Sequence, residues 1–90
     1  MKFDYLSSYD RSFKKLSPDK QARTVQAIDA LIDFFKTGKK PKGLGLKKLR
    51  SDHWEIRIDI DYRILFEFKS DLVTFIMVGD HNSIKKFLKG

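Results

Sequence analysis

Between residues 53 and 68 the chain reads HWEIRIDIDYRILFEF, and this stretch constrains the fold most. Trp54, Ile56 and Ile58 alternate with Glu55, Arg57 and Asp59. After a short acidic turn, Tyr62, Ile64, Phe66 and Phe68 alternate with Arg63, Leu65 and Glu67. A period of two belongs to strands, whose side chains point alternately to opposite faces. Two such runs around a turn make a hairpin with one apolar face. A lone hairpin is marginal in water, so the rest of the chain must cover that face.

The covering elements are legible upstream. KFDYLS (2–7) carries Phe3 and Tyr5 on one parity and reads as a strand. SYDRSFKKL (8–16) spaces Tyr9, Phe13 and Leu16 as one face of a short helix, and Ser7 with Asp10 has capping-box spacing. From Ser17 a longer helix is expected. Ser17 serves as its cap, Pro18 stands at the first helical position and Asp19 lies near the positive helix end. Ala22, Val25, Ile28, Leu31, Ile32 and Phe35 form its apolar stripe, and Gly38 closes it. With only Ser17 and Pro18 between them, the two helices should pack as a hairpin.

Downstream, LVTFIMV (72–78) is apolar on both parities, as befits an interior strand covered on both faces. SIKKFL (83–88) places Ile84, Phe87 and Leu88 on one side of a terminal helical turn. The expected order is β-α-α-β-β-β-α. That is an α+β fold, a four-stranded mostly antiparallel sheet with a helical hairpin on one face, in a single domain spanning residues 1–90. At 41% hydrophobic and 13% aromatic, a chain this short can build its own core. It has no cysteine, which fits a reducing cytoplasm. No signal peptide and no membrane span is expected.

Charge is concentrated in one place. Residues 36–50, KTGKKPKGLGLKKLR, hold seven basic side chains and no acid, whereas the remaining 75 residues carry 12 basic and 12 acidic ones. Pro41, Gly43 and Gly45 exclude regular helix there, so the segment reads as a loop. A concentrated basic segment is a footprint for a polyanion such as nucleic acid; a solvated lysine-rich loop is the plainer alternative.

Parity puts Arg57 and Arg63 on the hairpin face turned away from the helices. One register pairs them directly, and the other pairs Asp59 with Arg63 and leaves Arg57 diagonal. Either way their Cβ atoms lie roughly 5–8 Å apart. Two readings are open: Glu55, Asp59 and Glu67 on the same face neutralise them, or a phosphate bridges them, since a guanidinium fork matches phosphate oxygens.

Just beyond the apolar strand, VGDHNS (78–83) presents His81, with Gly79 offering a sharp exit. Histidine exchanges protons near neutral pH. His53, at the hairpin's start, suits a structural role. RNA can be cut without metal when its 2′-hydroxyl attacks the adjacent phosphate. The protein must then orient the groups, stabilise charge and move protons. Arg57 and Arg63 supply charge, and His81 serves as general acid. Glu55, Glu67 and Asp61 are candidates for the base. No HxxxH, CxxC or carboxylate cluster points to a metal, and no glycine-rich loop points to a nucleotide cofactor, so none is expected.

The stretch GLGLKKLRSDHWEIRIDIDYRILFEF with VTFIMVGDHNSIKKF resembles the RelE/ParE superfamily of toxins from toxin–antitoxin pairs. The shared features are the LKKL segment, an aromatic opening the first hairpin strand with a basic residue soon after, YR opening the second, and VG-x-H ending the last strand. The resemblance implies a sheet with helices on one face and an active groove on the other. It also implies metal-independent cleavage of translated mRNA on the ribosome, in the cytoplasm, and a cognate antitoxin that can form a hetero-oligomer with the toxin. Carried over by position, Arg63 meets the scissile phosphate, Arg57 is a second basic group and His81 the proton donor. Lys47, Lys48, Arg50 and Lys42 meet ribosomal RNA. Phe87 falls where many RelE-type toxins carry a catalytic tyrosine; it can stack on a base but cannot transfer a proton. Glu55 stands where RelE itself has a lysine. The histidine ending is similar to YoeB- and YafQ-like relatives. A ParE-like inhibitor of DNA gyrase, or an RNA-binding module without catalysis, are the alternatives.

Overall fold

The structure is a computed structural model that describes residues 1–90. Its elements in chain order are β1 (Lys2–Tyr5), α1 (Ser7–Lys14), α2 (Pro18–Thr37), β2 (Lys47–Arg50), β3 (His53–Arg57), β4 (Tyr62–Lys69), β5 (Leu72–Asp80) and α3 (His81–Lys89). One sheet runs in the order β1-β5-β4-β3-β2, antiparallel except for the β1–β5 pair. The α+β class stands as expected, with five strands instead of four. The added strand, β2, lies in the segment read as loop. Residues 38–46 do stay irregular, but Lys47 and Lys48 pair with Glu55 and Trp54. KKLR shows no apolar alternation; it becomes a strand because β3 offers it backbone N–H and C=O groups to pair with.

Even-numbered hairpin residues face the helices. Ile56, Ile64 and Phe66 pack with Tyr9 of α1, Ile28 and Leu31 of α2, and Val73, Phe75 and Val78 of β5. Ile56, Ile64 and Leu31 are completely buried, and burying each such side chain contributes about 1.5–3 kcal/mol. The Ser17 Oγ accepts the Lys20 N–H, and the Gly38 N–H donates to the Phe34 carbonyl, so the ends of α2 fall as expected. Its buried stripe differs. Thr24 is buried while Val25 is 48% exposed and Ala22 lies on the surface. Thr24 can enter the core because its hydroxyl donates to the Lys20 carbonyl at 2.7 Å. The Ser7–Asp10 capping box does not form: Ser7 is already helical, and Leu6 holds the cap position without a side-chain bond.

The other face is not free of helix, contrary to the sequence-based expectation. Ile84 of α3 is buried against Leu65 and Ile76, with Leu49, Met77 and Leu88 alongside. This is why LVTFIMV is apolar on both parities. At the far end of α3, the Leu88 carbonyl accepts a hydrogen bond from the Arg50 guanidinium. α3 therefore crosses the sheet from β5 to the β2 edge and leaves only part of that face open.

β1 pairs with β5 only from Leu72 to Phe75. Beyond that, α1 covers the edge. Ser8 Oγ donates to the Ile76 carbonyl at 2.5 Å, and Ser12 Oγ accepts the Val78 N–H at 3.0 Å while donating to the Tyr9 carbonyl. Two serines one helical turn apart thus occupy strand groups that would otherwise be open to pairing.

Candidate functional site

The turn between β3 and β4 sets the site's geometry. Asp59 Oδ1 accepts the N–H groups of Asp61 and Tyr62 at 2.9 and 2.8 Å, and Oδ2 accepts Lys20 Nζ at 2.7 Å. Lys20 Nζ also sits 4.1 Å from the centre of the Tyr62 ring. The bond from Lys20, helped by the two backbone N–H groups, pulls the Asp59 carboxyl down to about 2. Asp59 is therefore turned to α2 and neutralises neither arginine. With the turn pinned this way, Arg57 stands directly opposite Arg63, and Arg63 opposite Gly79.

Arg63 Nε donates to Glu55 Oε2 at 3.0 Å, with both side chains largely buried. Of the three acids offered as neutralisers, Glu55 alone pairs with an arginine. The bond uses Nε and leaves the two terminal guanidinium nitrogens without a protein acceptor. Glu55 thereby aims the Arg63 head outward.

β5 runs through Asp80, and His81 is the first residue of α3. Asp80 Oδ1 accepts the Ser83 N–H at 2.8 Å as the helix cap. That bond from Ser83 holds the Asp80 carboxyl below the usual range, and the nearby His81 adds to the effect. Gly79 does not provide a sharp exit. Its backbone is ordinary strand, and its smallness lets α3 return closely, since a Cβ there would lie 3.2 Å from both Ser83 Cβ and Met77 Cε. Arg63, His81, Asp61, Tyr62, Asp80 and Asn82 line one open cleft of about 450 Å³. A cation with free donors, an imidazole and an exposed carboxylate thus meet in one place, which is what an acid–base cleavage of a phosphodiester needs.

The other expected residues are dispersed. Arg57 is exposed and lines a separate cleft with Lys42, between α2 and the 38–46 loop. Glu55 is 6% exposed beneath Arg63, too enclosed to meet a substrate hydroxyl. Lys47 and Lys48 diverge: Lys47 pairs with Glu55 on the α3 face, while Lys48 pairs with Trp54 and lies over its ring. Arg50 is engaged with Leu88. Phe87 is the exception: it is 46% exposed in a groove between α1 and α3, lined also by Arg11 and Lys15, that shares Tyr62 and Asp80 with the Arg63–His81 cleft. Glu67 faces His53 across the hairpin, and the buried His53 Nδ1 has no hydrogen-bond partner. No group of three or more His, Cys, Asp or Glu side chains could hold a metal ion. No helix is long and apolar enough to cross a membrane. Sequence reasoning missed Tyr62, Asp80 and Asn82 as cleft residues. The YR dipeptide pointed only to its arginine, and Asp80 carried no signal in the sequence, its part as the cap of α3 emerging only in the structure.

Among solved structures, the RelB–RelE antitoxin–toxin complex from Methanococcus jannaschii superposes with a TM-score of 0.71 at 19% identity, covering 93% of this chain and 96% of that one. The fold is that of the RelE/ParE toxins. YafQ from E. coli superposes on this chain at 0.66 with 13% identity, covering 91% of it and 94% of YafQ. The YoeB/ParE toxin from Agrobacterium tumefaciens does so at 0.65 with 21% identity, covering 90% and 99%. No protein-family model and no curated protein sequence matches the chain. Those solved structures include toxins bound to antitoxins, as in RelB–RelE and DinJ–YafQ.

Proposed function

We propose that this RelE/ParE-like chain is the toxin of a toxin–antitoxin pair and a metal-independent endoribonuclease that cuts translated mRNA on the ribosome. The observation that carries the reading is that Arg63 and His81, distant in sequence, line one cleft together with Asp61. In the step proposed, Asp61 takes the proton of a ribose 2′-hydroxyl, whose oxygen bonds to the adjacent phosphorus. The terminal nitrogens of Arg63 hold the non-bridging oxygens as charge builds. The P–O5′ bond breaks, and the His81 imidazolium gives its proton to the departing O5′. The products are a 2′,3′-cyclic phosphate and a free 5′-hydroxyl. Asp61 is preferred to Glu55 as base because it is exposed in the cleft, and to Asp80 because that carboxylate is committed to Ser83.

Of the basic groups outside the cleft, Lys47 and Lys48 serve ribosomal RNA, and an exposed Phe87 can stack on a base. A cognate antitoxin with acidic and apolar side chains completes the pair, and its binding would cover cationic surface. The setting is the cytoplasm, where ribosomes are.

Induction of the wild type, Arg63→Ala, His81→Ala and Asp61→Asn, followed by mapping of 5′ ends on a translated message, tests the reading. Translation-dependent cuts with the wild type, reduced about 10²-fold or more in His81→Ala, are expected. Undiminished toxicity from all three variants without cuts would sink it, and a gyrase supercoiling assay would then test a ParE-like inhibitor.

A further inference from the structure

The cleft beside Arg57 has a charge balance unlike that beside Arg63. Arg23 from α2, Lys42 from the 38–46 loop and Arg57 from β3 line about 270 Å³ together with the Gln26 side chain, and no carboxylate is among the lining residues. The Arg63–His81 cleft, by contrast, contains both Asp61 and Asp80. Cations brought from three separate segments repel one another unless an anion sits between them. The protein offers little of its own: Arg23 Nε reaches Asp19 Oδ2 at 3.1 Å in an exposed pair, and neither Lys42 nor Arg57 has an ion-pair partner.

The space is also shaped. Ala27 and Ala30 form a low wall on α2. Gly45 lies so close to Arg57 that a Cβ on it would fall 2.8 Å from Arg57 Cβ and 3.5 Å from its Nε. The loop therefore lies along the arginine's stem and directs its head.

We propose that this cleft binds an RNA backbone phosphate next to the one held at Arg63, with Arg23 as a binding residue on α2. The inference rests on the RNA-cleaving reading above. Arg57 and Arg63 face each other from adjacent strands, about 4.8 Å apart in backbone. An RNA strand lying across the ends of β4 and β3 presents neighbouring phosphates to the two clefts. Two guanidinium forks and an ammonium suit a phosphate, which accepts hydrogen bonds from several directions. The work divides: the Arg63–His81 cleft transfers protons, and the acid-free cleft anchors the chain and sets its direction.

The test uses the full chain and a short labelled single-stranded RNA made uncleavable by 2′-deoxy substitution, titrated by fluorescence anisotropy across a range of salt. The Arg23→Ala/Lys42→Ala double variant is expected to bind more weakly, with a slope of log K against log salt shallower by about 0.7 for each phosphate no longer neutralised. Lys69→Ala, at the far end of β4, removes the same kind of charge and should leave the slope unchanged. Asp19→Asn frees Arg23 from its internal partner and should tighten binding, a gain that unfolding cannot imitate. The site is overturned if the double variant keeps the wild-type slope, if Lys69→Ala lowers it equally, or if an acidic peptide displaces RNA and shows the same dependence on Arg23. If the double variant binds as wild type while Arg63→Ala abolishes cutting, the phosphate cleft fails and the nuclease reading stands. If the double variant loses the slope while Arg63→Ala and His81→Ala cut normally, the cleft stands and the catalytic assignment fails. A wild type that binds no free RNA overturns the phosphate cleft, while the ribosome-dependent nuclease reading stands or falls by the translation-dependent cuts alone.

Discussion

Replacing Gly45 by alanine tests whether the loop and Arg57 were shaped for each other. Gly45 has φ +63°, so an L side chain there enters the left-handed region, which costs about 1–2 kcal/mol. In addition, the new Cβ would stand 2.8 Å from Arg57 Cβ, closer than packed atoms tolerate. Relieving that clash moves the loop or the strand, and overpacking of this kind costs about 1–3 kcal/mol. The sum is about 2–5 kcal/mol, large against the total stability of a domain this size. Gly43 supplies the control. Its φ is +80°, yet nothing lies within 4 Å of a Cβ built there, so Gly43→Ala should cost only the conformational part. Urea unfolding followed by tryptophan fluorescence measures both, with the comparison made at equal m-value. The displaced loop should also release the bond from the Arg57 N–H to the Leu44 carbonyl, now 2.8 Å, and weaken RNA binding in Gly45→Ala alone. If the two variants lose the same stability within about 0.5 kcal/mol, the close approach has no energetic consequence and Gly45 does not direct Arg57.

Asp59→Asn should flatten the acid limb of the stability curve. The folded carboxyl titrates at about 2, below its reference of 3.8, so its contribution is full above that reference and disappears as pH falls towards 2. The effect at neutral pH should be about 1–2 kcal/mol after allowance for solvent screening, read as Tm from pH 2 to 6. Ser12→Ala leaves the Val78 N–H without its acceptor and should cost about 1–2 kcal/mol, a fall in Tm of roughly 4–16 °C for a small domain; an unchanged Tm would mean water replaces the hydroxyl. Glu55→Gln removes the carboxylate that orients Arg63. RNA affinity should rise with the added net charge while cleavage falls, and a parallel change in both would assign Glu55 a merely structural part.

Much of the architecture was legible because it follows from local rules. The cap at Ser17, the stop at Gly38 and the two-residue alternation from Trp54 to Phe68 each depend on nearby backbone and on water. The segment Lys47–Arg50 was not legible as a strand, since pairing with β3 supplies the reason for its conformation. The same applies to Arg50, whose guanidinium is engaged with the end of α3, a residue 38 positions away. Thr24 in the core was hidden by residue type, and only its bond to Lys20 makes the burial tolerable.

For the site, parity alone put Arg57 and Arg63 on one face, because side-chain alternation is a property of any strand. The registers consistent with that parity differ only in which residues stand opposite. The choice was made by Asp59, whose carboxylate folds the turn and bonds to Lys20 of α2. Tertiary packing then separated the two arginines. Glu55 holds Arg63 at the cleft it shares with His81, whereas Gly45 and the loop keep Arg57 in the cleft it shares with Arg23 and Lys42. The sequence by itself determined which residues were charged, which face they shared and which helices covered the other. Only the folded chain decided which charges meet, because that depends on distances between segments no local pattern relates.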